Sequence, residues 1–343
     1  MTGARVRMLV LLLVTGGSLA AVSHAAVPGR AAYFYHYMSA SHVDSLAAAG
    51  FDTAVIHWIP DTLGVRGALE WQAFQARGLA TGVEIVPEWS LQQLSRLAAS
   101  PADRRYVWGG GVVEPDTPCP LDSSYWRSAL LDRVEEWFAI APGIRRVAVD
   151  LEHWKGRRHH WDAGPCRCAH CVREYRGKRP PPRDPRRLVG LLGWEEASLE
   201  RRLVPILREF ARRHPGVELG VLDLDYEAFP HRALARALVQ AGVPTADWCE
   251  KSYANGAREL PAVRQRLSAL GLGSAPLHGG LWLGRFTPSE LANAVRGVRA
   301  GTDGWFAFTT FSLWQEPAKL RGPYTLTGPQ ARYWDALREA NRP

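Results

Sequence analysis

Eight short apolar segments recur along this chain, and amphipathic stretches of helical period separate them. The segments span residues 32–38, 53–58, 81–87, 145–151, 218–224, 246–252, 276–283 and 304–311. The helical stretches include 41–49, 91–99, 125–140, 194–213, 232–241, 257–269 and 288–300, with 330–340 closing the chain. Start signals fit this division: Thr287-Pro288-Ser289-Glu290 offers a hydroxyl cap and a proline in the first turn. Glycines stand just before strands at Gly50, Gly143, Gly242 and Gly301, which is how a helix turns back into a parallel sheet. Eight strand–helix repeats favour closure into one (β/α)8 barrel, an α/β fold with a single core. An open doubly wound sheet is the runner-up. It would need a glycine-rich phosphate loop after the first strand, and the segment from Tyr33 to Ser41 has no glycine. The Gly109-Gly110-Gly111 run lies in a long connection instead.

The N-terminus follows a different pattern. Arg5 and Arg7 precede an apolar stretch from Met8 to Val22, and Ser23-His24-Ala25 supplies small residues for cleavage. The stretch is too short to span a bilayer, so residues 1–25 read as a secretory signal peptide and 26–343 as the barrel domain. No cysteine stands at the cleavage point to take a lipid, and no later segment is apolar enough to cross a membrane. The expected location is secreted or periplasmic. The formal charge of +8 becomes +6 once Arg5 and Arg7 leave. The excess sits between Lys155 and Arg187, in a proline-rich connection where solvated charge is ordinary, and arginine is frequent throughout. That argues against nucleic acid as the partner, although a polyanion-binding loop remains the third reading of this segment. Oligomeric state leaves no mark in the sequence.

Two connections are long: Trp89 to about Gly143, and His153 to about Leu191. They leave the ends of neighbouring strands, the third and fourth, and both carry cysteines. Cys166-x-Cys168-x-x-Cys171 is cramped for ordinary disulfide pairing and suits a tetrahedral thiolate site, with Cys119 as the fourth ligand. A metal held there would be structural zinc, because four thiolates leave no open position. Export keeps a disulfide open as the alternative, between Cys119 and one of the trio. Cys249 stands apart and reads as a small buried residue.

The fourth strand runs out in Asp150-Leu151-Glu152. Residues two apart share a face, so Asp150 and Glu152 both point to the barrel interior or its mouth, while Val147 and Val149 face the helices. Carboxylates at a buried strand end are costly to desolvate, and catalysis or hydrogen bonding compensates for that. A salt-bridged, purely structural Asp150 is the plainer alternative. Asp225, after the fifth strand, is the preferred partner carboxylate; Asp223, Glu227, Glu250, Glu88 and Glu316 compete. Fourteen tryptophans are many for this length. Tyr35, Trp89, Tyr253, Trp282 and Trp314 fall at strand ends, where aromatic faces can stack on sugar rings, and His57 can hydrogen-bond a hydroxyl. Taken singly, each ring is as well explained by core packing.

The cysteine pattern resembles the zinc loop of the family 42 β-galactosidases, (β/α)8 glycoside hydrolases in which one upstream cysteine joins a C-x-C-x-x-C group after the fourth strand. That resemblance covers Cys119 to Cys171, and elsewhere only the architecture. It implies Glu152 as general acid/base. It also shows two departures: Leu151 stands where those enzymes have asparagine, and the seventh strand end, His278 to Arg285, carries no carboxylate for their nucleophile. Asp150-Leu151-Glu152 also resembles the end of the family 18 chitinase motif, in which the substrate's acetamido group is the nucleophile; Ala148 breaks the fuller motif. The expectation is therefore an exported glycosidase acting on a poly- or oligosaccharide through Glu152, assisted by Asp150 and Asp225. The alternative is a barrel that binds glycan without cleaving it.

Overall fold

The computed structural model describes residues 29–34, 39–57, 65–91, 105–107, 113–141, 143–151, 165–175 and 185–342. The expected signal peptide, Tyr35, Glu152 and most of the Lys155–Arg187 segment lie outside these residues. Ten strands are present among the described residues: β1 (Gly29–Phe34), β2 (Thr53–His57), β3 (Glu84–Ser90), β4 (Arg105–Val107), β5 (Val113–Pro118), β6 (Arg146–Asp150), β7 (Glu218–Leu222), β8 (Thr245–Cys249), β9 (Leu277–Trp282) and β10 (Gly304–Phe308). Eight close into a parallel barrel in the order β1-β10-β9-β8-β7-β6-β3-β2, and β4 and β5 form a separate antiparallel pair. The fold is a single (β/α)8 barrel, as the alternation predicts.

Both faces of each barrel strand are covered, which is why the strands read as apolar runs. Inward residues form one cluster: Ala31, Tyr33, Val55, Val86, Ala148, Leu222, Ala246, Trp248, Phe306 and Phe308. Outward residues, Val147 and Val149 among them, join a larger cluster with the helices. The interior is filled unevenly. A side chain at Gly220 would meet the Trp248 indole 2.5 Å away, and one at Gly280 would collide with Tyr253 and Phe306. Glycine at these inward positions lets large rings occupy the middle of the barrel.

The floor of the barrel is polar. Arg146 pairs with Glu84 and donates to Thr53 Oγ1 at 3.1 Å. His278 stacks on Trp248, with ring centroids 4.9 Å apart, and fits beneath Gly29 and Gly304, where a side chain at 304 would collide with its ring. Burial, with Arg146 nearby, pushes the His278 pKa down to about 4.

Helix signals also hold. Thr287 and Glu290 form a capping box ahead of helix Pro288–Gly301. Some boundaries differ from expectation. The third strand begins at Glu84, because helix Val65–Thr81 runs through Thr81 and Gly82 turns the chain at φ +74°. The stretch 125–140 is interrupted by a π-helical turn, Ser128–Asp132. No described helix is long and apolar enough to cross a membrane.

A buried neutral histidine makes the fold acid-sensitive. The unfolded chain binds a proton at His278 near pH 6.5, whereas the folded chain resists it until about pH 4. Stability is therefore intact above about pH 6.5 and falls by about 3 kcal/mol on acidification through that window. Urea midpoints measured between those limits should drop in the wild type, and that part of the slope should vanish in His278→Asn.

Candidate active site and cysteine cluster

The inward alternation carries polar side chains to the C-terminal mouth. His57 ends β2, Glu88 lies near the end of β3, and Asp150 ends β6. A cavity of about 100 Å³ opens there, lined by Tyr33, Asp150, Leu222, Glu250, Tyr253, Trp282, Phe308 and Tyr324. One wall is aromatic and continuous. Tyr33 lies 5.5 Å from Phe308, Phe308 stacks on Tyr253 at 4.9 Å, and Trp282 meets Phe308 edge-on at 5.2 Å and Tyr324 at 6.1 Å. The facing wall carries the carboxyl groups of Asp150 and Glu250 on either side of Leu222.

Below this cavity His57 Nδ1 meets Glu88 Oε2, and both side chains are buried. Burial, then the charges of Glu88 and Asp150, hold the Tyr33 phenol well above its ordinary pKa. Tyr33 is thus a neutral hydroxyl donor at any working pH. The site combines two carboxyl groups with a hydroxyl donor and apolar faces. Such a set can grip a polyol and move protons to and from oxygen.

The structure brings together Asp150, Tyr253 and Trp282 from the expected set, and places His57 against Glu88 near the same mouth. Others lie elsewhere. Trp89 faces outward, fully buried, and donates from Nε1 to the Ala129 carbonyl at 3.0 Å. Its expected stacking role is corrected: in a strand its parity sends it to the helix layer. Trp314 packs between His42 and Trp334, at 4.7 and 5.1 Å, and does not line the cavity. Asp225 likewise does not line it. Its Oδ2 accepts from both Arg266 Nε at 3.1 Å and Nη2 at 2.6 Å, an ion pair made through one oxygen of a fully buried carboxylate. Burial and neighbouring Asp223 raise its pKa, against the pull of Arg266. Glu250 takes the place at the cavity that the sequence assigned to Asp225. Tyr33, which carried no expectation, lies in β1 two positions before Tyr35, and its inward parity was the signal that could have found it. Tyr324 comes from the turn Gly322–Tyr324, which has no strand pattern.

The four cysteines converge. Cys119 follows β5, Cys166 and Cys168 precede helix Ala169–Tyr175, and Cys171 lies within it. All are buried and free, and their sulfurs lie within 4.8 Å of one another. Tetrahedral thiolate ligands with arms of roughly 2.3 Å stand roughly 3.8 Å apart, so this donor set can hold a metal ion. Without a cation the sulfurs compete for charge: hydrogen bonds from its three neighbours favour the Cys168 thiolate, while burial pushes Cys119 up. The Cys166 amide donates to Glu195 Oε2 at 3.1 Å, and the Arg167 amide donates to the Val107 carbonyl at 2.8 Å. The cluster therefore joins the β4–β5 hairpin, helix Ala169–Tyr175 and helix Pro185–Arg213. Glu195 carried no sequence signal, since its approach to the cysteines is purely tertiary.

No protein-family model matches the chain. No curated protein matches it in sequence. Solved structures match in fold. An α-L-fucosidase (isoenzyme 2) from Paenibacillus thiaminolyticus aligns with TM-score 0.56 and 12% identity over 92% of this chain and 49% of its own. The chain thus spans about half the length of that fucosidase. A chitinase from Chromobacterium violaceum aligns with TM-score 0.44 and 10% identity over 92% of this chain and 99% of its own. The YdjI aldolase from Escherichia coli K12 aligns with TM-score 0.39 and 9% identity, over 91% and 86% respectively. Glycoside hydrolases are among the structural neighbours, and at these identities the likeness concerns the barrel alone.

Two measurements follow from these sites. Elemental analysis of protein prepared without chelator should find about one equivalent of bound metal per chain, and Cys168→Ala should abolish it and lower the thermal midpoint by about 10 °C. Arg266→Met, which strands the buried Asp225 carboxylate, should cost about 3 kcal/mol in urea unfolding.

Proposed function

We propose that the chain is an exported glycoside hydrolase acting on a poly- or oligosaccharide. The observation that carries this reading is the cavity at the barrel mouth, where Asp150 and Glu250 face an aromatic wall. A pyranose presents C–H faces to rings and hydroxyls to carboxylates, so a site with one wall of each kind suits it. Cleavage of a glycosidic bond calls for two carboxyl groups, one giving a proton to the leaving oxygen and the other acting on the anomeric carbon or on water. β7 stands between the strands of Asp150 and Glu250, so their backbones are about 10 Å apart. That separation leaves room for a glycosidic oxygen between the side chains. Glu152, two positions after Asp150 in the sequence, remains the proposed general acid; Asp150 orients it and steadies developing positive charge, and Glu250 is the proposed second carboxylate. Tyr33, whose hydroxyl hydrogen-bonds Glu88, accepts from a sugar hydroxyl. Structural zinc on Cys119, Cys166, Cys168 and Cys171 completes the proposal, holding the two long connections and taking no part in chemistry.

A second reading rests on Trp282. It occupies the seventh strand end, where the family 42 resemblance calls for a carboxylate, and its ring lines the cavity. This arrangement fits a barrel that binds glycan without cleaving it.

The test is a product screen by mass spectrometry over polysaccharides and aryl glycosides. Wild type is run beside Glu152→Gln, Asp150→Asn and Glu250→Gln. Release by wild type, with losses of roughly a hundred- to ten-thousandfold in each variant, is the expected result. Saturable glycan binding without product, unaltered in the three variants, supports the binding barrel instead.

A further inference from the structure

The ladder between β7 and β8 ends where Leu222 stands opposite Trp248. Just past that point the chain has to satisfy backbone donors that no parallel neighbour reaches. Two aspartates take them, each across the gap from its own strand. Asp247, on β8, accepts the Leu224 amide on Oδ1 at 2.8 Å. Asp223, the residue after β7, accepts the Glu250 amide on Oδ1 at 2.8 Å. The Asp223 amide itself donates to the Trp248 carbonyl at 2.9 Å, and the Asp223 carbonyl accepts from Tyr226 at 2.9 Å.

Both aspartates are buried. Asp223 adopts φ +51°, the only described residue other than glycine in the left-handed region. Aspartate and asparagine tolerate that region better than other side chains. The turn takes the chain out of the strand while returning the carboxylate toward β8. Asp223 also lies within 4.8 Å of Asp225 and Cys249, but Arg266 already supplies positive charge to that group, so we assign no metal there.

We propose that Asp223 and Asp247 are positioning residues, a reciprocal latch that fixes the backbone of Glu250 so that its carboxyl group stands on the same wall of the cavity as Asp150, turned toward the aromatic wall. The proposal rests on the reading of Glu250 as a working carboxylate. Hydrogen bonds from amides to carboxylates are stronger than those to neutral acceptors, and a buried pair closed in both directions resists splaying of the two strand ends. A displacement of about 1 Å at a reacting group costs about a hundredfold in rate, so the latch should appear in turnover rather than in affinity.

Two substitutions separate the parts. Asp223→Gly keeps the left-handed turn and deletes the acceptor, whereas Asp223→Asn keeps both. With the 4-nitrophenyl glycoside that wild type cleaves fastest, Asp223→Gly should lose about a hundredfold in kcat with KM within about threefold, and Asp223→Asn should recover kcat to within about threefold of wild type. Amide hydrogen exchange at Glu250, which needs no substrate, should quicken in Asp223→Gly and stay slow in Asp223→Asn. Wild-type kcat in Asp223→Gly, beside an inactive Glu250→Gln, overturns the latch and leaves the carboxylate reading standing. Equal losses in the asparagine and glycine variants, or unchanged Glu250 exchange in the glycine variant, also overturn it. An active Glu250→Gln, or a wild type that cleaves no glycoside, removes the carboxylate reading and the latch's role together. If Asp223→Gly does not fold, Asp247→Ala against Asp247→Asn tests the other half of the latch, with kcat read as before and amide exchange read at Leu224.

Discussion

Closure of the sheet is the constraint on which the rest of this molecule depends. Eight parallel strands joined edge to edge satisfy one another's backbone groups and leave no free edge, so every strand has one face inside and one outside. That parity decides the fate of each side chain before any packing is considered. It sends Val147 and Val149 to the helices and Ala148 and Asp150 inward. It separates Trp89, held against Ala129, from its neighbour Glu88, held against His57. The mouth is the set of inward residues at the last register position before the ladders stop.

Charge inside the barrel is segregated along the axis. Arg146, Glu84 and His278 occupy the floor, glycine-accommodated rings fill the middle, and acids and aromatics occupy the mouth. The apolar middle keeps the floor arginine away from the upper carboxylates. Each end therefore sets its own protonation: the floor disfavours a histidine proton, while the mouth keeps the Tyr33 phenol intact.

The barrel itself was legible because its signal is repeated eight times and rests on local rules of period and turn chemistry. The cysteine cluster was legible because three of its members share six residues. Which carboxylates line the cavity was not legible in the same way. Asp225 and Glu250 both follow apolar strands, and the pairing of Asp225 with Arg266, forty-one residues away in sequence, is a tertiary contact that no local pattern announces. Tyr324 and Glu195 belong to the same class: their roles come from contacts between distant segments, which periodicity does not encode. The error in the third strand had a local cause, a helix continuing through β-branched Thr81 to a glycine turn.

The cysteine cluster has a consequence for chain entropy. Thirteen residues, 152 to 164, connect Leu151 at the end of a barrel strand to Pro165, whose neighbour Cys166 is held by the thiol group and by Glu195. The sulfurs of Cys119 and Cys171 meet although 52 positions separate them in sequence, so a metal shared by the four thiolates would close a long loop and lower the entropy of the unfolded chain.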